Sequence, residues 1–173
     1  HGLYEDTIHV PLIFRHPARI PSNTTLTPMV QHLDLAPTLL EAAGAPVPES
    51  LEGRSLWPLL AGQTDRGGWG QVVCCECTWQ AKWALRTETA KLILAREPDF
   101  HSMPMRELYD LAADPEESRN LMEERPQEAQ AMEAELEAWV AAGLARAGRS
   151  EDPLRAQGIT LGRRWHDWLD KQK

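Results

Sequence analysis

Three cysteines, six histidines and the adjacent acids Glu5 and Asp6 are the side chains of this 173-residue chain whose types and spacing suggest chemistry. Cys74, Cys75 and Cys77 fall close together, as metal ligands or a redox pair would. A zinc site, however, needs a second ligand pair at a distance, and none exists. Neighbouring cysteines on a strand point to opposite faces and do not bridge easily. The cluster therefore indicates apolar strand residues.

The histidines and acids show no catalytic spacing of their own. His16, His32 and His101 are isolated from any acid pair at ligand spacing. Glu5 and Asp6 are adjacent, so on a strand their side chains point to opposite faces. General acid–base work by this pair is therefore not expected. The residues alone identify no catalytic group.

Composition excludes two classes of partner. The chain is 42% apolar and 25% charged, which is typical of a globular protein. Its net charge of −8 argues against nucleic acid, which requires a basic surface. No apolar run approaches the ~18 residues of a membrane span. We expect neither a nucleic-acid nor a membrane partner, and leave compartment and oligomeric state open.

The first half predicts one strand and one helix. Residues 7–14 are apolar and β-branched, which predicts a strand buried on both faces of a parallel sheet. Pro11 would then sit at an edge or a bulge. Residues 31–43 predict a helix that Asp34 caps and Gly44 ends. A short helical turn is expected at residues 57–60.

Four glycines within residues 62–70 predict a boundary between two lobes. Strand-like runs follow at residues 71–79, 82–95 and 103–111, and the first two are separated by a hairpin-like turn. Residues 126–142 predict a second helix, with Pro126 at its first position. Beyond it the chain is poor in apolar residues and predicts a tail or arm, which Trp165 and Trp168-Leu169 could anchor.

Four stretches, in order, resemble sulfatases of the alkaline phosphatase superfamily. Residues 1–13 are similar to a strand of that family, 32–44 to its Asp-x-x-Pro-Thr helix, and 51–60 to its Gly-x-Ser-Leu turn. Residues 107–121 resemble the strand–turn–helix corner near the end of those enzymes. The resemblance covers residues 1 to about 142 and concerns the carboxyl-terminal part of the family.

The resemblance implies an α/β fold. We expect the end of a doubly wound, mainly parallel sheet, followed by a small antiparallel sheet packed by the helix at 126–142. The expected domains are residues 1–65 as part of the large α/β domain, 66–145 as the small subdomain, and 146–173 as a tail or arm. A strand that ends a large sheet without its neighbours leaves an exposed edge, so the isolated chain is expected to be poorly stable.

The implied activity is the hydrolysis of sulfate esters, carried by small molecules or carbohydrates. Sulfatases use formylglycine, an oxidised cysteine or serine, and a calcium-like divalent cation. Their nucleophile lies in a Cys/Ser-x-Pro/Ala-x-Arg pentapeptide near the amino terminus, and residues 77–81 lack its proline and arginine. We therefore expect a piece of a longer polypeptide, inactive alone, with the catalytic residues and the ligands of Ca²⁺ or another divalent cation elsewhere.

The resemblance points to three candidate substrate contacts. His1 falls near the place where many sulfatases carry a lysine that grips the sulfate, and a protonated imidazole could act similarly. A second register would make His1 a metal ligand, and a third interpretation leaves it a loop residue. Trp79 and Lys82, with Gln80 between them, flank a turn that could reach the edge of a substrate pocket.

Two other functions stay open. A phosphodiester or phosphonate monoester hydrolase of the same superfamily would share the metal site and differ at the nucleophile. A non-catalytic binding or oligomerisation module would fold without metal. Calcium should raise the melting temperature only where the metal site is complete.

Overall fold

A computed structural model describes residues 2–63, 68–98, 102–159, 168 and 171. The helices, in chain order, are α1 (Glu5–Ile8), α2 (Leu35–Ala42, after a 3-10 turn at His32–Asp34), α3 (Trp57–Leu60), α4 (Pro126–Arg146) and α5 (Pro153–Gln157). The strands are β1 (Gln71–Glu76), β2 (Lys82–Thr87), β3 (Ala90–Ala95) and β4 (Arg106–Asp110). The chain forms two compact units, residues 11–72 (the loop unit) and residues 1–10 with 73–173 (the sheet unit).

The sheet unit contains a four-stranded sheet in the order β1-β2-β3-β4. β2 pairs antiparallel with β3, and β3 antiparallel with β4. The run predicted at residues 82–95 is therefore two strands, divided by a tight turn at which the Ala90 amide donates to the Thr87 hydroxyl. The small antiparallel sheet that the sequence predicts is confirmed.

One face of this sheet packs against α4. Because side chains alternate along a strand, every second residue of β2, β3 and β4 points to the same side. The core on this side is Leu85, Leu92, Leu94 and Leu108 from the strands with Ala129, Met132, Leu136 and Val140 from α4. The predicted helix at 126–142 is confirmed and continues to Arg146. Within the part of the chain described, no helix is both long and apolar enough to cross a membrane.

Residues 107–121 form the corner that the sequence predicts. β4 leads into a turn closed by Asp114, whose carboxylate accepts from the Arg119 amide. The turn brings Asn120 back to β4, where its side chain accepts from the Leu108 amide and donates to the Arg106 carbonyl. The backbone of Leu121 adds a bond to the Leu108 carbonyl. This corner therefore covers the outer edge of β4, an edge that would otherwise be open to pairing.

The predicted strand at residues 7–14 is wrong. α1 ends at Ile8, and residues 9–16 form neither strand nor helix. Ile13 is 87% exposed, so this run is not buried on two faces. Pro11 lacks an amide hydrogen, and a strand cannot form without a neighbour to complete its hydrogen bonds. The last strand of a doubly wound sheet, and its exposed edge, are not formed by these residues.

The loop unit is tied together by a buried carboxylate. Asp34 makes no side-chain cap to α2 itself, but it forms a capping box with Gln31 at the 3-10 turn that starts the predicted helix. Its carboxylate accepts from the Gln31 amide at 2.9 Å, the Arg54 amide at 2.7 Å and the Trp69 indole at 2.8 Å. The expected cap is therefore confirmed at the 3-10 turn, and the tertiary partners Arg54 and Trp69 share the same carboxylate. The predicted helix itself is confirmed, and it ends before Gly44 at φ 70°.

The close approach of residues 51–60 to the 3-10 turn before α2 explains the glycine of the 51–60 motif. A Cβ built on Gly53 would lie 1.8 Å from the Leu33 carbonyl oxygen, so no other residue fits there. Thr38 links the two motifs, since its hydroxyl donates to the Asp34 carbonyl and accepts from the Leu56 amide. The apolar core of this unit is Leu56, Leu59 and Leu60. Both motifs therefore serve to hold the loop unit together.

Residues 150–159, which follow α4, are packed rather than extended. α5 lies within residues 150–159, and Leu154 and Ile159 are buried against the sheet unit. Trp168 is half exposed, and Trp165 and Leu169 lie outside the described residues. The domain boundaries drawn from the sequence stay a prediction, and the compact units group residues 2–10 with the sheet.

Candidate functional site

The second face of the sheet carries charged residues where the first carries leucines. Lys82 and Arg86 of β2, Lys91 of β3 and Glu107 of β4 point away from α4; we call these four residues the charged face. Lys82, Lys91 and Glu107 are at most 1% exposed. Charged side chains are almost never buried to this extent without partners. The partners come largely from residues 3–8, which lie on this face.

Glu107 is the first centre of this network. One carboxylate oxygen lies 3.0 Å from the Lys82 ammonium. The other accepts from the hydroxyls of Tyr4 at 2.6 Å and Tyr109 at 2.7 Å. Burial, and then the hydrogen bond to Glu107, raise the pKa of both tyrosines above the usual range. Both hydroxyls therefore act as donors, and Tyr4 links residues 3–8 to the sheet.

Lys91 is the second centre. Its ammonium lies 2.8 Å from a carboxylate oxygen of Glu5, 2.8 Å from one of Glu117, and donates to the Leu3 carbonyl at 3.0 Å. The Leu3 carbonyl accepts a hydrogen bond from this ammonium, and Glu5 and Glu117 are its ion-pair partners. Two of them belong to residues 3–8. Lys91 therefore fixes both the backbone and a side chain of that segment.

Glu5 receives a second cation. Arg86 donates to both Glu5 oxygens at 3.1 Å, the two-pronged geometry that a guanidinium favours. Burial alone would raise the pKa of Glu5, but the hydrogen bonds from Arg86 and Lys91 outweigh it and lower that pKa to about 2. Its backbone amide also donates to Glu117. Glu5 is therefore ionised and held at three points.

This arrangement positions a segment of chain and does not transfer protons. Each carboxylate of the network already accepts from buried cations, hydroxyls or an amide. A general acid or base needs a proton that it can exchange with substrate. The network can instead hold residues 2–8 against the sheet, and so fix the place at which the segment before Tyr4 lies.

The turn between β1 and β2 lies beside the start of this segment. Gln80 is 2% exposed, and its Oε1 has no hydrogen-bond partner in the described ranges. A Cβ built on Gly2 would lie 3.7 Å from that oxygen and 3.2 Å from the Tyr4 ring. Gly2 has a φ of +139°, which also favours glycine. Close approach therefore restricts this position to the smallest residue.

The candidate substrate contacts are placed as follows. Trp79 and Lys82 lie on either side of Gln80, and Trp79 is half-buried with its amide donating to Glu76. Lys82 is buried and paired with Glu107. His1 lies outside the described residues. That these three residues contact a substrate stays a prediction.

Sequence reasoning missed the partners that hold this site. Tyr4, Glu107, Lys91 and Glu117 were not singled out for any role. One signal was present in the sequence. Lys82, Lys91 and Glu107 stand in largely apolar strands, and the two-residue alternation of side chains places all three on one buried face.

The cysteine and metal chemistry is limited. Cys74 and Cys75 are free thiols, and burial raises the pKa of each, which disfavours the reactive thiolate. Among residues 2–63, 68–98 and 102–159, no three His, Cys, Asp or Glu side chains come together to hold a metal ion. The cation that the sulfatase resemblance implies therefore has no site in this part of the chain.

Comparison with known families decides the assignment. Residues 1–142 match the family described as N-sulphoglucosamine sulphohydrolase, C-terminal. The chain belongs to this sulfatase family. The match covers the charged face, residues 2–8 and the Asp34 contacts, and it ends within α4. The sulfatase resemblance predicted from four motifs is confirmed.

Curated relatives are sulfatases as well. An N-acetylglucosamine-6-O-sulfatase of Bacteroides thetaiotaomicron is 31% identical over 69% of this chain and 22% of its own length. Arylsulfatase K of Gallus gallus is 32% identical over 80% of this chain and 27% of its own length. The chain thus spans about a quarter of the length of these relatives.

Solved structures give the same fold. A protein in complex with its substrate, D-glucosamine-2-N,6-O-disulfate, matches with a TM-score of 0.59 and 26% identity over 76% of this chain and 27% of that one. A 2-O GAG sulfatase matches with a TM-score of 0.54 and 25% identity, over 72% and 28% of the two chains. The α/β, alkaline phosphatase-like fold class of sulfatases is confirmed.

Proposed function

We propose that this chain forms the carboxyl-terminal region of a sulfatase that hydrolyses a sulfate ester of an amino sugar. The observation that carries the proposal is the family match over residues 1–142, within which the charged face holds residues 2–8. In the reaction, water is consumed, the S–O bond to the sugar is cleaved, and an alcohol and inorganic sulfate are released.

The substrate class is suggested by two relatives. One is named for a 6-O-sulfated N-acetylglucosamine, and one solved relative holds a doubly sulfated glucosamine as its substrate. Both ligands are sulfated amino sugars. We therefore propose a carbohydrate sulfate ester, and among carbohydrates a glucosamine sulfate, as the substrate to test first.

The nucleophile and the cation are proposed to lie on further polypeptide. The sulfatase resemblance implies formylglycine and calcium or another divalent cation. The one stretch that fits the pentapeptide pattern, Ser102-Met103-Pro104-Met105-Arg106, leads into β4 of the small sheet, whereas the family's nucleophile lies near its amino terminus. The described residues gather no set of cation ligands. The reaction therefore needs residues other than these.

The contribution of this chain would be to position the edge of the substrate pocket. Tyr4, Glu5 and the Leu3 carbonyl are bound by buried partners, so the residues just before them have a fixed starting point. His1 is the proposed sulfate contact from this segment. Trp79, which is half-buried, and Lys82 are proposed at the adjacent turn. Lys82 would act there mainly through Glu107, because its ammonium is buried.

The test is sulfate release by the polypeptide encoded by the complete reading frame. Glucosamine 6-sulfate is incubated with the purified protein, and inorganic sulfate is measured by ion chromatography with and without a chelator. We expect release that a chelator abolishes and that calcium or another divalent cation restores. The 173-residue chain alone is the matched control, and we expect it to release none.

The same assay separates the other functions. Release of alcohol from a phosphonate monoester or phosphodiester, without sulfate release, would replace the proposal by a phosphoester hydrolase. Absence of every hydrolysis, with specific binding of the sugar by the 173-residue chain, would replace it by a binding module.

A further inference from the structure

Residues 150–159 lie beyond the family match and contain the short helix α5; we call this segment the arm. The match ends at residue 142, and α4 ends at Arg146. Within the arm, Asp152 caps α5 by accepting from the Leu154 amide at 2.9 Å. Gly158 ends the helix at a φ of +58°. The arm is therefore a defined element with its own start and stop.

Asp152 anchors the arm to the sheet unit. It is 7% exposed, and its carboxylate accepts from the Trp83 indole at 3.0 Å and from Arg96 at 2.8 Å. Arg96 also pairs with Glu137 of α4. One buried guanidinium thus joins the arm to α4 and to the end of β3. Hydrogen bonds between ionised groups are about twice as strong as neutral ones.

The apolar residues of the arm cover the turn between β1 and β2. Leu154 and Ile159 form a buried cluster with Ala81, which is fully buried. Ala81 is also bound from the other side, since its carbonyl accepts from the Arg96 amide at 2.7 Å. The Ile159 amide donates to Glu97. Ala81 therefore sits between the arm and Arg96, the residue that directly follows β3.

We propose that the arm is a positioning element that fixes the turn at residues 79–82, and through it the edge of the substrate pocket. Ala81 stands between Gln80 and Lys82, so a shift of Ala81 moves both neighbours. Lys82 would carry the shift to Glu107, and Glu107 to Tyr4, since the three side chains are bonded in sequence. The proposal rests on the proposed function, because it assigns the turn to the sulfatase pocket.

The experiment uses the polypeptide of the complete reading frame and the variant Asp152→Asn. Asparagine keeps the shape and the acceptor for the Leu154 amide, and it removes the charge that binds Arg96. Leu154→Val is a milder second variant that loosens the packing on Ala81. Arg155→Ala is the matched control, because Arg155 lies on the same helix and is exposed.

Two readouts are taken on each protein. The first is KM and kcat for sulfate release from glucosamine 6-sulfate. We expect Asp152→Asn to raise KM by about tenfold, the fold-change that matches ~1.4 kcal/mol, with kcat nearly unchanged. The second is hydrogen exchange of peptides that cover residues 77–83, which should exchange faster in Asp152→Asn and Leu154→Val. Arg155→Ala should leave both readouts unchanged.

The outcomes separate this proposal from the proposed function. A lower melting temperature with unchanged KM and unchanged exchange at 77–83 would overturn the positioning role and leave the arm as a stabilising element. If the parent protein releases no sulfate, the proposed function fails. Exchange at residues 77–83 then still decides whether the arm fixes the turn, and unchanged exchange would overturn it.

Discussion

The two faces of the antiparallel sheet are buried by opposite means. On the face toward α4, Leu85, Leu92 and Leu108 pack against the apolar side of the helix. On the charged face, Lys82 and Lys91 are buried to the same degree but pair with carboxylates. Apolar packing is non-directional and tolerates substitutions that keep volume. Ion pairs need every partner in place.

The difference indicates what each face contributes. Replacing a whole buried ion pair by apolar residues is often neutral or stabilising, whereas removal of one partner is costly. The charged face is therefore not needed for net stability. It specifies where residues 2–8 lie, because Tyr4 and Glu5 can satisfy the buried charges in one position only. The apolar face supplies stability, and the charged face supplies position.

The largest effect should come from breaking the charged face at its centre. Lys91→Met keeps the side-chain length but leaves Glu117 without the Lys91 cation, while Glu5 keeps only its contact with Arg86 among the cations of the charged face. We expect a loss of about 3–5 kcal/mol in the free energy of unfolding, measured by urea titration. Leu92→Met, the next residue on the opposite face, is the control and should cost less than about 1.5 kcal/mol. Equal losses in the two variants would contradict the comparison.

A cavity on the apolar face should come next. Leu136 of α4 is fully buried in the cluster beneath the sheet. Leu136→Ala should cost about 3 kcal/mol, through lost burial and the cavity that remains. The neighbouring Glu135 is exposed, so Glu135→Ala should change the unfolding free energy by no more than about 0.5 kcal/mol. A small cost for Leu136→Ala would show that the helix does not supply the stability of this unit.

A single hydrogen bond of the charged face should have a smaller effect. Tyr4→Phe removes the hydroxyl that donates to Glu107 at 2.6 Å, while Lys82 and Tyr109 still contact the carboxylate. We expect a loss of about 1.5 kcal/mol, as for a hydrogen bond to a charged group. A double-mutant cycle with Glu107→Gln measures the coupling, which should be at least about 0.5 kcal/mol. Additive losses would mean that the bond does not form.

The smallest effect should be a slope of stability with pH. Glu5 has a pKa of about 2 in the folded chain against an ordinary value of 4.5. Because the folded value is lower, Glu5 contributes stability that is present above the ordinary pKa and is lost as pH falls from 4.5 through about 2. The unfolding free energy of wild type should fall more steeply in this window than that of Glu5→Gln. If the unfolding free energies of wild type and Glu5→Gln fell with the same slope in this window, the contacts of Glu5 with Arg86 and Lys91 would be contradicted.

Local sequence patterns were sufficient to predict the elements whose signals lie within their own residues. The helix at 126–142 has one apolar side and a proline at its first position, and both properties act within the helix. The strand runs after residue 70 were visible for the same reason. Residues 7–14 misled the prediction, because whether an apolar run becomes a strand depends on a neighbour that the run does not contain.

The candidate site depended on contacts that local reasoning does not reach. Asp34 was assigned to a helix cap, but its partners Arg54 and Trp69 are 20 and 35 residues away. Lys82 and Lys91 were not expected in the interior, because lysine is almost never fully buried unless it is paired. Lys82 pairs with Glu107 of β4, and Lys91 pairs with Glu5 and with Glu117 in the corner after β4.

Hydrogen exchange of residues 2–8 in the polypeptide of the complete reading frame tests the central claim most directly. We predict that wild-type peptides covering this segment are protected nearly as strongly as those of β3. Lys91→Met should release the segment while the strands stay protected by α4, because its anchor lies on the charged face and not in the apolar core. Free exchange of residues 2–8 in the wild type, beside a protected β3, would contradict the account.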